Sequence, residues 1–319
     1  MESILLLRPD KAGDAVKTLP ILRAIRNQHP HLDCHIVVST HNASLVAFES
    51  GWTSHLFDSE SLKVKAFDAA INLLSDPSPE SIQILNHVQA EIKGSIHYHG
   101  FSGKKLNHLP GGPGGIDETL NIGNLVSQVI GLDLDGLNEI STAPTLSPLD
   151  DKEAIQNMGE TPKNSVGICP IAGLSHRSHS VTRWKELLRF IERSRTFENL
   201  YLFGSTNDRA ALLDLAGETT FRVIAPSSFR ALAAHFMKLS AVVAIDSGPL
   251  HLARALAIPS LGILSGGDAQ RWFGLNVAHS LILKRGVFNR HPSLFEIKRV
   301  YDKWVSMLRR AKCGSEVLC

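Results

Sequence analysis

Short, mostly apolar runs recur along the whole chain: Ile4–Leu7, Cys34–Val38 and Phe67–Leu74, then Val166–Cys169, Leu200–Phe203, Ala241–Ile245 and Ser260–Leu264. A strand without polar alternation is one buried on both faces, the condition of a parallel sheet covered by helices. Helical periodicity fills the intervals. After the first run, Val16, Leu19, Leu22 and Ile25 repeat every three residues along one face. Strand, helix, strand with short connections implies βαβ units with right-handed crossovers. Pro20 falls inside that first helix, so a kink or a restart is expected there.

The pattern breaks twice. Between about Lys93 and Asp117 the sequence Pro110-Gly111-Gly112-Pro113-Gly114-Gly115 excludes a helix or central strand, leaving a surface loop that is either a connector or an acceptor-binding lid. A helix over Asp117–Leu132 follows. Ser141–Pro162, rich in Pro, Ser, Thr and acidic residues, reads as a domain linker. The second half then repeats the alternation, with helices expected near 183–195, 209–217, 230–239 and 250–256. A last amphipathic helix, Glu296–Arg310, carries Ile297, Val300, Trp304 and Leu308 as its stripe. With 319 residues the chain exceeds one ordinary core. The expected domains are residues 1–150 and 151–319, hinged near 150, with the last helix free to pack back on the first domain. Such pairs bind ligands in the cleft between them, at the carboxyl ends of strands.

Composition narrows the function. With 43% apolar and 20% charged residues and a net charge of +2, the chain has ordinary globular composition and lacks the basic excess of a nucleic-acid domain. No run approaches the length of a membrane span, and Met1-Glu2-Ser3 reads as the start of a strand rather than a secretory signal. Cys34, Cys169, Cys313 and Cys319 show no Cys-x-x-Cys spacing and fit reduced cytosolic thiols. The pairs His97/His99 and His176/His179 lack companion ligands, so no metal site is expected.

Three loops, each following an expected strand, carry the polar chemistry. In Arg8-Pro9-Asp10-Lys11-Ala12-Gly13-Asp14, Gly13 would let the backbone turn, and Asp14 is either the cap of the next helix or a general base facing the cleft. Asp246-Ser247-Gly248-Pro249-Leu250-His251 is a strand–turn–helix start of the kind that binds a phosphate, or a plain helix start. In Pro170-Ile171-Ala172-Gly173-Leu174-Ser175-His176-Arg177, the arginine fork suits a diphosphate, or is simply an exposed arginine.

The three together resemble glycosyltransferase family 9, the heptosyltransferases. That family opens with an apolar strand, a basic residue, Gly-Asp and a Thr-Leu-Pro-x-Leu segment; here stand Arg8, Gly13-Asp14 and Thr18-Leu19-Pro20-Ile21-Leu22. Its Asp-Thr-Gly-x-x-His-x-x-x-Ala signature is similar to Asp246-Ser247-Gly248-Pro249-Leu250-His251 with Ala255, and its sequel to Ile258-Pro259 through Gly266-Gly267-Asp268. The family's Pro-Gly-Ala and Lys-x-Trp-Pro segment is altered. Ile171 follows Pro170, Arg177 takes the lysine position, and His179 and Ser180 replace Trp and Pro. Asp208 matches an acidic position that meets the nucleoside.

The resemblance implies an α/β fold of GT-B architecture, two Rossmann-like domains with parallel sheets facing a cleft. The first domain would bind the acceptor and the second the sugar-nucleotide. It implies an inverting, metal-independent transfer of a heptose or related sugar from an ADP-sugar to a lipopolysaccharide core saccharide, with no cofactor. Asp14 would be the base. Arg177, Ser247, Gly248, Leu250 and His251 would hold the diphosphate, Asp208 and Asp246 the nucleoside and sugar, and Arg8 and Gly13 would shape the loop. Partners would be the donor and a lipid-linked or core oligosaccharide acceptor, not nucleic acid. The expected place is the cytoplasm, with peripheral contact at the inner membrane left open. Lys63, Lys65, Lys104 and Lys105 are acceptor contacts or ordinary surface lysines. Two alternatives remain: another sugar-nucleotide enzyme, such as one with another donor or an epimerase, and a non-catalytic nucleotide-sugar binding protein.

Overall fold

The computed structural model describes residues 1–57, 65–74, 78–95, 117–160, 164–173, 178–265, 278–284 and 291–316, the side chains of 312–316 excepted. The chain divides into two compact units, one spanning Met1–Thr145 and one beginning at Leu146.

The first unit contains β1 (Ser3–Arg8), α1 (Ala12–Gln28), β2 (Asp33–Val38), α2 (Ala43–Val46), β3 (Trp52–Leu56), β4 (Ala66–Asn72), α3 (Pro79–His87), β5 (Gln89–Ser95) and α4 (Glu118–Ile130). Its strands form one parallel sheet in the order β3-β2-β1-β4-β5. The run Ile4–Leu7 is apolar throughout because both faces are covered. Ile4 and Leu6 join Leu19, Leu22, Ile122 and Leu125 on one side, while Leu5 and Leu7 join Val37, Phe67 and Leu85 on the other. Helix α1 runs unbroken through Pro20, against the expected kink or restart. The ring removes one backbone donor, but Leu19, Ile21 and Leu22 beside it are fully buried, and that burial outweighs one lost hydrogen bond.

The second unit contains α5 (Pro148–Met158), β6 (Ser165–Cys169), α6 (Val181–Arg193), β7 (Asn199–Phe203), α7 (Arg209–Ala216), β8 (Arg222–Ile224), α8 (Phe229–Met237), β9 (Ala241–Ile245), α9 (Gly248–Ala255), β10 (Ser260–Leu264), β11 (Leu281–Lys284) and α10 (Leu294–Glu316). The sheet is again parallel, in the order β11-β10-β9-β6-β7-β8. Close packing of its central strands needs glycine: a methyl at Gly167 would stand 2.5 Å from Leu239 Cδ1, and one at Gly262 2.6 Å from Ile282 Cδ1. On α10, Ile297 and Trp304 are buried in the same core as α6 and the sheet, with Val300 and Leu308 packed against it.

The linker reading of Ser141–Pro162 is corrected by α5. Ser147 and Asp150 form a reciprocal capping box, and Pro148 opens the helix. Arg230 of α8 pairs with Asp150 at 2.6 Å, so the helix belongs to the second unit. The polar composition that suggested a linker is that of a capped surface helix.

Each sheet reverses strand order once, between β1 and β4 in the first and between β6 and β9 in the second. Open parallel sheets bind ligands at the carboxyl ends of strands at such a reversal.

Candidate active site

At the first reversal, three residues connect β1 to α1. Arg8 is 1% exposed, and both terminal nitrogens of its guanidinium are engaged internally. One terminal nitrogen donates to Leu73 O beyond β4, and the other to Asp14 O at 3.0 Å. Asn42 Nδ2 donates to Arg8 O at 2.7 Å and to Asp10 O at 3.1 Å, and Ser39 Oγ donates to Asp10 O at 3.0 Å. Arg8 is therefore a clamp joining both sides of the reversal.

Helix α1 starts earlier than the sequence suggested. Lys11 holds the cap position with extended backbone, Gly13 is a buried helical residue rather than the turn, and Asp14 sits in the first turn. Asp14 is not the cap; it is a half-buried acid at a helix N-terminus, where the dipole favours negative charge. Around it, Lys17 Nζ pairs with Asp117 at 2.8 Å, and Glu118, at the start of α4, is fully buried.

Asp10 is a second acid of this loop. Its Oδ1 lies 3.2 Å from Arg8 Nε, yet the two are not aligned as a hydrogen bond, and both atoms are buried with no hydrogen-bond partner among the described residues. Burial pushes its carboxyl up to about 7, against the pull of Arg8 and with the repulsion of Asp14 and Glu118. It also lines a pocket of about 590 Å³ with Pro9, Ser39, Thr40, Phe57, Ser78 and Glu80 among its walls, at the carboxyl ends of the strands. The available signal was an acid two residues past a strand-end arginine. Lys65, in contrast, pairs with Asp33 at 2.7 Å at the amino end of β2 and is not brought to this pocket. Lys63, Lys104, Lys105, His97, His99 and the segment 110–115 lie outside the described residues.

At the second reversal, β9 delivers Asp246 and Ser247 to the start of α9. Ser247 Oγ donates to Ile245 O at 3.0 Å and does not cap the helix. Gly248 is the first helical residue, Pro249 has no N–H, and Leu250 N donates to Ser247 O at 3.0 Å. Leu250 is thus a buried packing residue whose donor is committed. Asp246, Ser247 and Gly248 are half-buried at the turn, and His251 is buried one step further. Asp208 follows β7, but its Oδ2 accepts from Ser205 N at 2.9 Å and Ser205 Oγ at 2.6 Å, closing a capping box on a short 3₁₀ turn.

His176 and Arg177, after β6, and Gly266–Asp268, after β10, lie outside the described residues. His179 is within them and buried. Arg183 Nη1 approaches its Nδ1 at 3.2 Å, and its ring lies 4.5 Å from that of His291. Burial, with His291 and Arg183, drives the imidazole down to about 4, so it is neutral at pH 7. Cys34 and Cys169 are buried free thiols. Among the described residues, no group of three or more His, Cys, Asp or Glu is placed to hold a metal ion, and no helix is long and apolar enough to cross a membrane.

Two parallel sheets in one chain, each with its polar loops at the strand reversal, make an α/β architecture of two Rossmann-like units. Solved structures share this fold. A glycosyl transferase family 9 protein from Veillonella parvula superposes with a TM-score of 0.77 at 14% identity, over 97% of both chains. E. coli ADP-heptose lipopolysaccharide heptosyltransferase II gives 0.75 at 16% identity, over 98% of this chain and 100% of that one. E. coli heptosyltransferase WaaC with ADP-2-deoxy-2-fluoro heptose gives 0.67 at 14% identity, over 94% and 99%. The model of glycosyltransferase family 9 (heptosyltransferase) matches residues 122–293, more than half of the chain, and the protein belongs to that family. No curated protein sequence matches it.

Proposed function

We propose that the protein transfers a heptose, or a closely related sugar, from an ADP-sugar to a saccharide hydroxyl of a lipopolysaccharide core, with inversion and without a divalent metal or cofactor. The observation that carries this reading is the coexistence of two loops. The Arg8–Asp14 loop and the Asp246–His251 turn each occupy the ligand-binding reversal of their own sheet. The first unit would take the acceptor, and the second the donor that its relatives' structures hold as ADP or an ADP-heptose analogue.

Asp14 acts as the base. The acceptor hydroxyl gives its proton to the carboxylate as its oxygen bonds to the anomeric carbon. The bond from that carbon to the diphosphate breaks, and the electron pair leaves with ADP. Negative charge then grows on the diphosphate. Gly248 N–H and the positive end of α9, with Arg177 and His251, are the groups suited to stabilise it. Asp246 and Asp208 remain for donor hydroxyls, Asp208 through its Oδ1 because Oδ2 is engaged. Work at the cytoplasmic face of the inner membrane fits a lipid-linked acceptor.

The test is transfer from ADP-heptose to a core oligosaccharide, with ADP and glycosylated product both measured. Asp14→Asn is expected to lower kcat by about 10²–10⁴-fold and to leave ADP affinity within a few-fold. Full-rate transfer by that variant removes Asp14 as the base. ADP binding without turnover by the wild-type protein would instead indicate a nucleotide-sugar binding protein, and an isomerised donor would indicate an epimerase.

A further inference from the structure

The pocket of about 590 Å³ at the first reversal draws its walls from four elements. Asp10 follows β1, Thr40 follows β2, Leu56 and Phe57 stand at the end of β3, and Ser78 and Glu80 open α3. A pocket of this kind takes its selectivity from a few polar groups, and here the charged ones are acids. Glu80 lies in the first turn of α3, exposed. Its own N–H and the Ser78 hydroxyl donate to the carboxylate and hold it below the usual carboxylate range, so it is ionised at neutral pH. Asp10 reaches the same lining with a side chain still 22% exposed. A bare helix N-terminus draws anions, but the first turns next to this pocket carry acids of their own, Glu80 in α3 and Asp14 in α1. The cation beneath the loop, Arg8, is 1% exposed and gives its terminal nitrogens to Leu73 O and Asp14 O. A ligand entering the pocket therefore meets carboxylates rather than the guanidinium.

We propose that this pocket selects an acceptor sugar that carries neither carboxylate nor phosphate, recognised through its hydroxyls and its C–H face. This rests on the reading that the first unit binds the acceptor. Sugar hydroxyls donate to the carboxyl oxygens of Glu80 and Asp10 and accept from the hydroxyl of Thr40. Leu56, 46% exposed, and the half-buried Phe57 offer the apolar surface that the C–H face of a sugar ring covers. A phosphate in the same place would stand against Glu80, with no lysine or arginine among the described lining residues to balance it. A like charge so placed acts as a rejecting element, and selectivity built that way needs no extra contact to the preferred sugar. The acceptor class narrows from any core saccharide to an uncharged unit of it.

The test uses the full chain and two acceptors: a neutral heptose-terminated oligosaccharide, and the same molecule with one phosphate monoester on its terminal sugar. Binding is read by calorimetry without donor, and transfer by kcat/KM with ADP-heptose. The neutral acceptor should bind and react about tenfold better, and the gap should narrow as salt screens it. Glu80→Gln should narrow the gap several-fold and Glu80→Lys should close or reverse it, with ADP affinity unchanged in both. Because Glu80 also supports the start of α3, Thr40→Lys is the second variant: it adds a cation to the lining with Glu80 in place and should favour the phosphorylated acceptor. Equal or tighter binding of the phosphorylated acceptor by wild-type protein overturns the proposal, as does a gap untouched by Glu80→Lys and Thr40→Lys in folded protein. Transfer onto the phosphorylated acceptor in preference to the neutral one leaves the transferase standing and removes this inference. Selective binding of the neutral saccharide, with no transfer from ADP-heptose, supports the preference of the pocket and refutes the assigned reaction.

Discussion

His179 is neutral because burial beside His291 and Arg183 lowers its imidazole from 6.5 to about 4. Between those values the unfolded chain binds a proton that the folded chain refuses. Its contribution to stability is complete above pH 6.5 and is lost as pH falls towards 4, by no more than about 3 kcal/mol. Asp10 works in the opposite sense. Its folded value of about 7 lies above the ordinary aspartate value of 3.8, so the folded chain holds the extra proton, and stability is lost as pH rises from about 4 to 7. Urea unfolding across pH 4–8 should therefore show Asp10→Asn gaining about 1–3 kcal/mol over wild type at pH 8 but little at pH 4. His179→Phe should lose the acid sensitivity, and equal slopes in variants and wild type would contradict both assignments. The sequence displayed these residues without their environments. Asp10 and His179 are ordinary letters until burial shifts them. Asp208 and Asp150, however, were readable: each stands three residues after a serine, the spacing of a capping box, and each carboxylate closes one.

The elements missed by the apolar runs are the edges. β3 and β5 flank the first sheet, and β8 and β11 flank the second. An edge strand has one neighbour and a partly wet face, so Trp52-Thr53-Ser54-His55-Leu56 mixes polar and apolar residues where the central strands are mostly apolar. Central strands announce themselves because burial on both faces leaves composition little freedom. The helix ends obey a local rule that the sequence breaks. Ala257, after α9, has φ +55°, and Arg195, after α6, has φ +48°, both in the left-handed region where glycine is usual. Ala257 is exposed, so Ala257→Gly should remove strain at no packing cost and stabilise by about 0.5–1 kcal/mol. Gly262→Val should do the reverse: its first carbon already meets Ile282 and Leu250 below 3 Å, and overpacking should cost about 1–3 kcal/mol. Denaturant midpoints of the two variants measure both, and a stabilised Gly262→Val would disprove the close packing of β10.

At the scale of the molecule, the same device is built twice: a parallel sheet, one reversal of strand order, and short polar loops at the reversal. The repetition was visible in the alternating runs. The boundary was harder to see, because the capped helix α5 has the composition of a linker while packing on α8 within the second unit. Two sheets with separate reversals imply separate ligands, and that division can be measured. A nucleotide that binds the folded state at 100 times its dissociation constant stabilises it by about 2.7 kcal/mol. If the donor belongs to the second unit, ADP should slow amide exchange in the turns that follow β6, β7 and β9 and leave the loop after β1 unchanged. A core oligosaccharide should protect the Pro9–Asp14 loop and the walls of the 590 Å³ pocket instead. GDP or UDP protecting the same second-unit turns better than ADP would keep the division of labour and change the donor. Protection by ADP confined to the first unit would reverse the assignment of the two sheets, and with it the roles given to Asp14 and to the start of α9.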